Sequence, residues 1–150
     1  MSNDSSLGPV VLTLEAVNAL VPKLNEICGR QLERRADIEN RLASLGRMLG
    51  DVPKRIVVEP GDTPAIAKLK RELAELVSVY QDDWRGIEQL GAVIKDPKVG
   101  LLDFYGRVDG KLVWLCWKYG ETKVEFYHAL DEGFSGRKPL VESMKQRLLN

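Results

Sequence analysis

Leu101-Leu102-Asp103-Phe104-Tyr105-Gly106-Arg107-Val108-Asp109-Gly110-Lys111-Leu112-Val113-Trp114-Leu115-Cys116-Trp117-Lys118 decides the fold. Two runs rich in aromatic and branched residues flank Asp109-Gly110, the pair preferred in a two-residue type I′ turn because both positions need positive φ. The spacing predicts a hairpin of Leu101 to Arg107 against Leu112 to Lys118. A second tight turn at Gly120-Glu121 would bring back Lys123 to His128 as a third strand. With two-residue loops the register is fixed. One face stacks Leu102, Trp117 and Val124, then Phe104, Leu115 and Phe126, with Val113 opposite His128. The other face aligns Asp103, Cys116 and Glu125 in one row and Tyr105, Trp114 and Tyr127 in the next. Ala92-Val93-Ile94-Lys95 reads as a short edge strand before Asp96-Pro97, giving a three- to four-stranded antiparallel meander over residues 92–128.

Upstream the apolar period changes from 2 to about 3.6, the spacing of a helix. After a flexible arm (1–12), Thr13 is placed to cap a helix carrying Leu14, Val17, Leu20, Leu24, Ile27, Ile38, Leu42, Leu45 and Leu49. Pro22 should kink its first turns or split off a short leading helix. A loop at 50–62 follows. Thr63-Pro64 then opens a second helix with Ile66, Leu69, Leu73, Leu76, Tyr80, Trp84, Ile87 and Leu90 on one face, stopped by Gly91. Residues 13–91 therefore read as a long, coiled-coil-like antiparallel hairpin. At about 1.5 Å per residue each helix reaches on the order of 40–50 Å. An arm of that length exposes part of its stripe and predicts a homodimer. Residues 129–150 read as a Gly-Arg loop and a short amphipathic C-terminal helix with Leu140, Val141, Met144 and Leu148. The whole is an α+β protein, expected as a single domain of 150 residues.

Composition narrows the partners. Lys plus Arg and Asp plus Glu both total 22, so no net field draws a polyanion, and nucleic acid is not expected as a partner. No apolar run approaches the roughly 20 residues that span a bilayer, so no membrane partner is expected either. Cys28 and Cys116 are far apart and form neither a disulfide framework nor a CxxC pair. Reduced thiols, and a polar N-terminus unlike a secretory signal, place the chain in the cytoplasm.

Four constellations could carry chemistry. Asp103, Cys116 and Glu125 put two carboxylates and a thiol on adjacent strands, close enough for a transition metal, but the sole imidazole falls on the opposite face and no cofactor is expected. His128 precedes Asp131 and Glu132 and could be a base oriented by a carboxylate, or a structural core histidine. Gly133-Phe134-Ser135-Gly136-Arg137-Lys138-Pro139 frees the backbone and adds two cations where a helix could begin, which suits an anion; alternatively Arg137 pins the loop by pairing with Asp131 or Glu132. The aromatic row Tyr105, Trp114 and Tyr127 resembles a stacking platform, or a surface covered by the C-terminal tail or a partner chain.

Thr13-Leu14-Glu15-Ala16, Gly100-Leu101-Leu102-Asp103-Phe104, Leu115-Cys116-Trp117, Gly120-Glu121, His128 and Asp131-Glu132-Gly133-Phe134-Ser135-Gly136-Arg137 resemble the bacterial domain of unknown function 2203 family. The resemblance covers nearly the whole chain. Where that family's motif usually has Trp-His, this chain has Tyr127-His128. It implies a bacterial cytoplasmic protein and no particular activity. It also directs attention to Asp103, Cys116, Glu121, His128, Asp131, Glu132, Gly136 and Arg137. The expected function is a non-enzymatic binding or scaffolding module that dimerises through the hairpin and offers its meander and Gly-Arg loop to a protein partner. The alternative is an enzyme or a small-anion or metal-binding protein with a site around His128, Asp131, Glu132 and Arg137.

Overall fold

Asp109 (φ 52) and Gly110 (φ 78) both take the left-handed conformation a type I′ turn demands, and Val108 pairs directly with Lys111 across it. In the computed structural model, which describes residues 10–141, this hairpin is the centre of the sheet. Among the described residues the strands are β1 (Ala92–Asp96), β2 (Leu101–Val108), β3 (Lys111–Lys118), β4 (Phe126–His128) and β5 (Lys138–Pro139), antiparallel and in that spatial order. The β2–β3 register is the expected one, with Leu102 opposite Trp117, Asp103 opposite Cys116, Phe104 opposite Leu115 and Tyr105 opposite Trp114.

The β3–β4 register is not. Trp114 faces His128, Leu115 faces Tyr127 and Cys116 faces Phe126, one residue out from the sequence expectation. Because side chains alternate with period 2, this slip turns every β4 residue to the opposite face. Phe126 and His128 leave the core face and Tyr127 joins it. The cause lies in α1 (Leu14–Leu49). Asn25 accepts from Gly120 N–H (2.8 Å) and donates to the Glu121 carbonyl (3.0 Å), while Asn18 accepts from Val124 N–H (2.7 Å). The helix thus holds the backbone of the expected turn residues Gly120 and Glu121 and the N–H of Val124, and residues 119–125 form a loop where a two-residue turn was expected. Pairing resumes only at Phe126.

The helices follow their patterns. Thr13 Oγ1 accepts from Ala16 N–H and Gly50 ends α1 at φ 87. Pro22 sits inside this one continuous helix and does not split off a leading segment. Thr63 caps α2 (Pro64–Gln89), with Pro64 in its first turn and Gly91 (φ 107) just past its end. Gln31 bonds Tyr80 near the sheet and Arg41 pairs with Glu72 ten residues further along α1; the α1 number rises as the α2 number falls, so the helices are antiparallel. Val11 pairs with Tyr105 in a lone parallel bridge, and Leu12 N–H donates to the Tyr105 carbonyl, so the end of the expected flexible arm is tied to the sheet.

The core lies between the sheet and only one end of the hairpin. Leu14, Val17, Val21, Leu24 and Cys28 of α1 and Trp84 and Ile87 of α2 pack on Leu102, Phe104, Leu115, Trp117 and Val124. In the distal half the buried helix residues are few: Gln31, Leu45, Lys70 and Leu73; Leu49, placed on the core stripe by its spacing, is exposed. After β4 the chain makes a 3-10 turn at Phe134–Gly136 and the strand Lys138–Pro139, where a helix start at Pro139 was expected. The rest of the expected C-terminal helix, with Met144 and Leu148, lies outside the described residues. No helix among the described residues is long and apolar enough to cross a membrane.

Candidate functional site

The register slip assembles a site that the sequence had divided between two faces. Asp103 on β2, Cys116 on β3 and His128 on β4 now project from the same outer face of the sheet, and each is at most 1% exposed. One ligand-type atom from each, a carboxylate oxygen, Sγ and a ring nitrogen, lies within 4.8 Å of the others. Glu125, the third member of the expected metal set, precedes β4 and is not part of this cluster; its carbonyl accepts from Leu140 N–H.

Hydrogen bonding fixes the chemistry of the imidazole. His128 Nδ1 is 3.0 Å from the Ala129 carbonyl and Nε2 is 2.9 Å from Asp103 Oδ2. A carbonyl can only accept, so Nδ1 carries hydrogen. Nε2 and the carboxylate would both be acceptors, so their contact holds a further proton, on the ring or on the acid. Burial pushes the Asp103 acid up from the ordinary carboxylate range, opposed by the charges of His128 and Lys95. Asp103 Oδ1 is buried with no partner. The Cys116 thiol is near the carboxylate, but it is a weak donor and does not complete a hydrogen bond of good geometry to Oδ1. Burial pushes that thiol up to about 11, although the neighbouring Arg137 favours its ionised form, so it is protonated at neutral pH.

Arg137 closes the cluster. Its guanidinium lies 3.8 Å from the Phe126 ring centroid and 4.3 Å from that of Phe134, donates to Glu121 Oε2 (2.8 Å), and places Nη1 3.7 Å from Cys116 Sγ. The expectation that Arg137 pairs with Asp131 or Glu132 is thus replaced by a pairing with Glu121. The other Glu121 oxygen accepts from Lys118 N–H (2.8 Å), so one carboxylate joins the end of β3 to the loop after β4. Glu132 turns back onto Ala129 N–H and lies 3.7 Å from Lys138; Asp131 is exposed, and Gly136 sits against the Glu132 side chain. Of the sequence-predicted cluster, the structure therefore unites His128, Arg137 and Glu121 with Asp103 and Cys116, while Asp131 and Glu132 serve the loop rather than the imidazole.

The aromatic row is also altered. Tyr105 and Trp114 stack with centroids 4.1 Å apart and Lys95 lies 4.2 Å over the Trp114 ring, but Tyr127 is on the core face. Trp114 Nε1 donates to the Leu130 carbonyl (3.3 Å), which holds the loop over His128. Sequence reasoning missed Asn18 and Asn25. Their spacing of seven, two turns along one helix face, was the available signal, but it does not say which backbone they hold.

The constellation could hold a metal through one oxygen, one sulfur and one nitrogen. It does not make a nucleophile–base pair, because Nδ1 and Nε2 are both engaged and neither faces the thiol as an acceptor. No curated protein and no solved structure matches the chain. The family described as an uncharacterized conserved protein (DUF2203) matches residues 11–140, almost all of the described chain, and the protein belongs to that family.

Proposed function

We propose that this chain is a non-enzymatic binding module whose ligand centre is the Asp103, Cys116 and His128 cluster, working in the cytoplasm with its thiols reduced. What carries the reading is Asp103 Oδ1. A buried acceptor without a partner costs about 1–3 kcal/mol, more when charged, and a bound ion or other guest is one of the ways such a cost is met. Binding is favoured over catalysis because neither imidazole nitrogen is free to take a substrate proton and the thiol is protonated at neutral pH.

A second reading concerns the arm. An open groove of about 380 Å³ is lined by Arg34 and Arg41 of α1 and by Glu72, Glu75, Leu76 and Val79 of α2. Two copies placed face to face about a twofold axis would share the apolar strip of Leu76 and Val79 inside a rim of charges, Arg41 with Glu72 among them, that is already paired within each protomer, which supports a homodimer through the hairpin. A protein partner is the competing occupant.

Native mass spectrometry of protein purified without a metal-affinity tag tests both. The expected spectrum shows a dimer that carries a small adduct, with the adduct lost in Asp103→Asn. Guest-stripped wild type should exceed Asp103→Asn in stability by under about 1 kcal/mol, since the variant removes a buried carboxylate that lacks a full set of partners. A guest-free wild type together with a strongly destabilised Asp103→Asn would make the cluster a structural pair and overturn the binding reading.

A further inference from the structure

Resting on the reading of the outer face as a binding centre, we propose that its guest is a divalent transition-metal ion of the zinc class, held by a carboxylate oxygen of Asp103, the thiolate of Cys116 and Nε2 of His128. The donor set selects the class. Mg²⁺ and Ca²⁺ take oxygen shells, whereas one sulfur, one nitrogen and one oxygen suit zinc and its borderline neighbours.

Geometry supports the same ion. Ligands at roughly 2.0–2.3 Å from a tetrahedral metal lie about 3.5 Å from one another. The three donor atoms already lie within 4.8 Å, so small side-chain adjustments suffice. The ring is oriented as metal-binding imidazoles are: Nδ1–H donates to the Ala129 carbonyl, which directs Nε2 into the cluster. The ion would displace the proton between Nε2 and Asp103 Oδ2 and, bound through Oδ1, would supply the partner that this oxygen lacks.

Charge fixes the valence. One carboxylate, one thiolate and a doubly charged ion sum to zero, and the adjoining Arg137–Glu121 pair is neutral by itself. In a cluster at most 1% exposed, a singly or triply charged ion would leave a net buried charge, which is costly. On binding, the thiol proton and the proton shared by Asp103 and His128 leave together, two charges out for two in. Three protein ligands leave a fourth position for water or an external ligand.

The test is a titration of tag-free, chelator-stripped full-length protein with Co²⁺, followed by Zn²⁺. One equivalent of Co²⁺ should bind with a sulfur-to-metal charge-transfer band, and Zn²⁺ should bleach it. Cys116→Ser, nearly isosteric, should fold, lose the band and bind Co²⁺ about a hundredfold more weakly or worse, given that even outer partners of such sites cost 10–100-fold. Asp103→Asn should weaken binding comparably. Co²⁺ bound without a charge-transfer band in wild type, or with unchanged affinity in Cys116→Ser and Asp103→Asn, would show adventitious metal only and overturn the inference. An organic or anionic adduct in native spectra with no Co²⁺ uptake would overturn the metal but preserve the binding centre. Neither adduct nor uptake, with a destabilised Asp103→Asn, would overturn both.

Discussion

Asp103 Oδ2 and His128 Nε2 lie 2.9 Å apart although their strands, β2 and β4, are not neighbours in the sheet; the two side chains meet across β3. Their burial makes the pair asymmetric. Asp103→Asn keeps a side chain that can donate to Nε2, whereas His128→Ala strands a buried acid. The account predicts a loss of about 3–5 kcal/mol for His128→Ala and under about 1 kcal/mol for Asp103→Asn in metal-free protein, from urea melts. Equal costs would contradict it.

Arg137 lies over the Phe126 and Phe134 rings and is bonded to Glu121, a set of contacts that suits a flat, forked cation. Arg137→Lys should behave nearly as Arg137→Ala, since an ammonium cannot reproduce the stacking or the fork. Both should speed hydrogen exchange in residues 129–139 relative to β2 and β3. Protection restored by lysine would mean that charge alone holds the loop.

The loop before α2 should respond to acid. Asp62 accepts from Glu59 N–H (2.7 Å) and from Lys70 Nζ (2.9 Å), and these contacts hold its carboxyl below the ordinary range. A depressed folded-state value means that the latch contributes fully above the unfolded value and is lost as pH falls through the folded one, hence below about pH 4. Lys70 also donates to the Val57 carbonyl (2.9 Å), so the latch pins residues 57–62. Limited proteolysis of this loop should accelerate below that pH in wild type. In Asp62→Asn it should already be fast at neutral pH, and its acid dependence should flatten.

Gln31 is fully buried in the arm, donating to the Tyr80 carbonyl (2.7 Å) and accepting from Arg34 (2.8 Å). It aligns the two helices where apolar packing is thin. Gln31→Leu should therefore cost about 1–3 kcal/mol despite adding apolar surface, because its partners lose their bonds. A stabilised variant would show that the polar layer is dispensable.

The parts legible in the sequence were those governed by local rules. Asp109-Gly110 determined the turn and the β2–β3 register, Thr63-Pro64 the start of α2, and the 3.6 spacing the helical stripe. The β4 register depended instead on Asn18 and Asn25 reaching residues 95 to 106 positions away, and nothing in periodicity encodes such contacts. That single dependence moved His128 across the sheet. A two-residue turn would put the imidazole on the face away from Asp103 and Cys116; with the loop that the asparagines hold, it lies beside them. The Arg137–Glu121 pairing was likewise hidden, because proximity in sequence favoured Asp131 and Glu132 over a residue 16 positions away.

His128 is the sole histidine of the chain, so its ring nitrogens give one unambiguous pair of ¹⁵N resonances in tag-free protein. Following them while Zn²⁺ is added tests the centre most directly. The account predicts that Nδ1 is protonated throughout and that stoichiometric Zn²⁺ shifts Nε2 to a metal-bound position. A ring protonated at Nε2 alone, or exchanging like a solvent-exposed imidazole and indifferent to Zn²⁺, would contradict it.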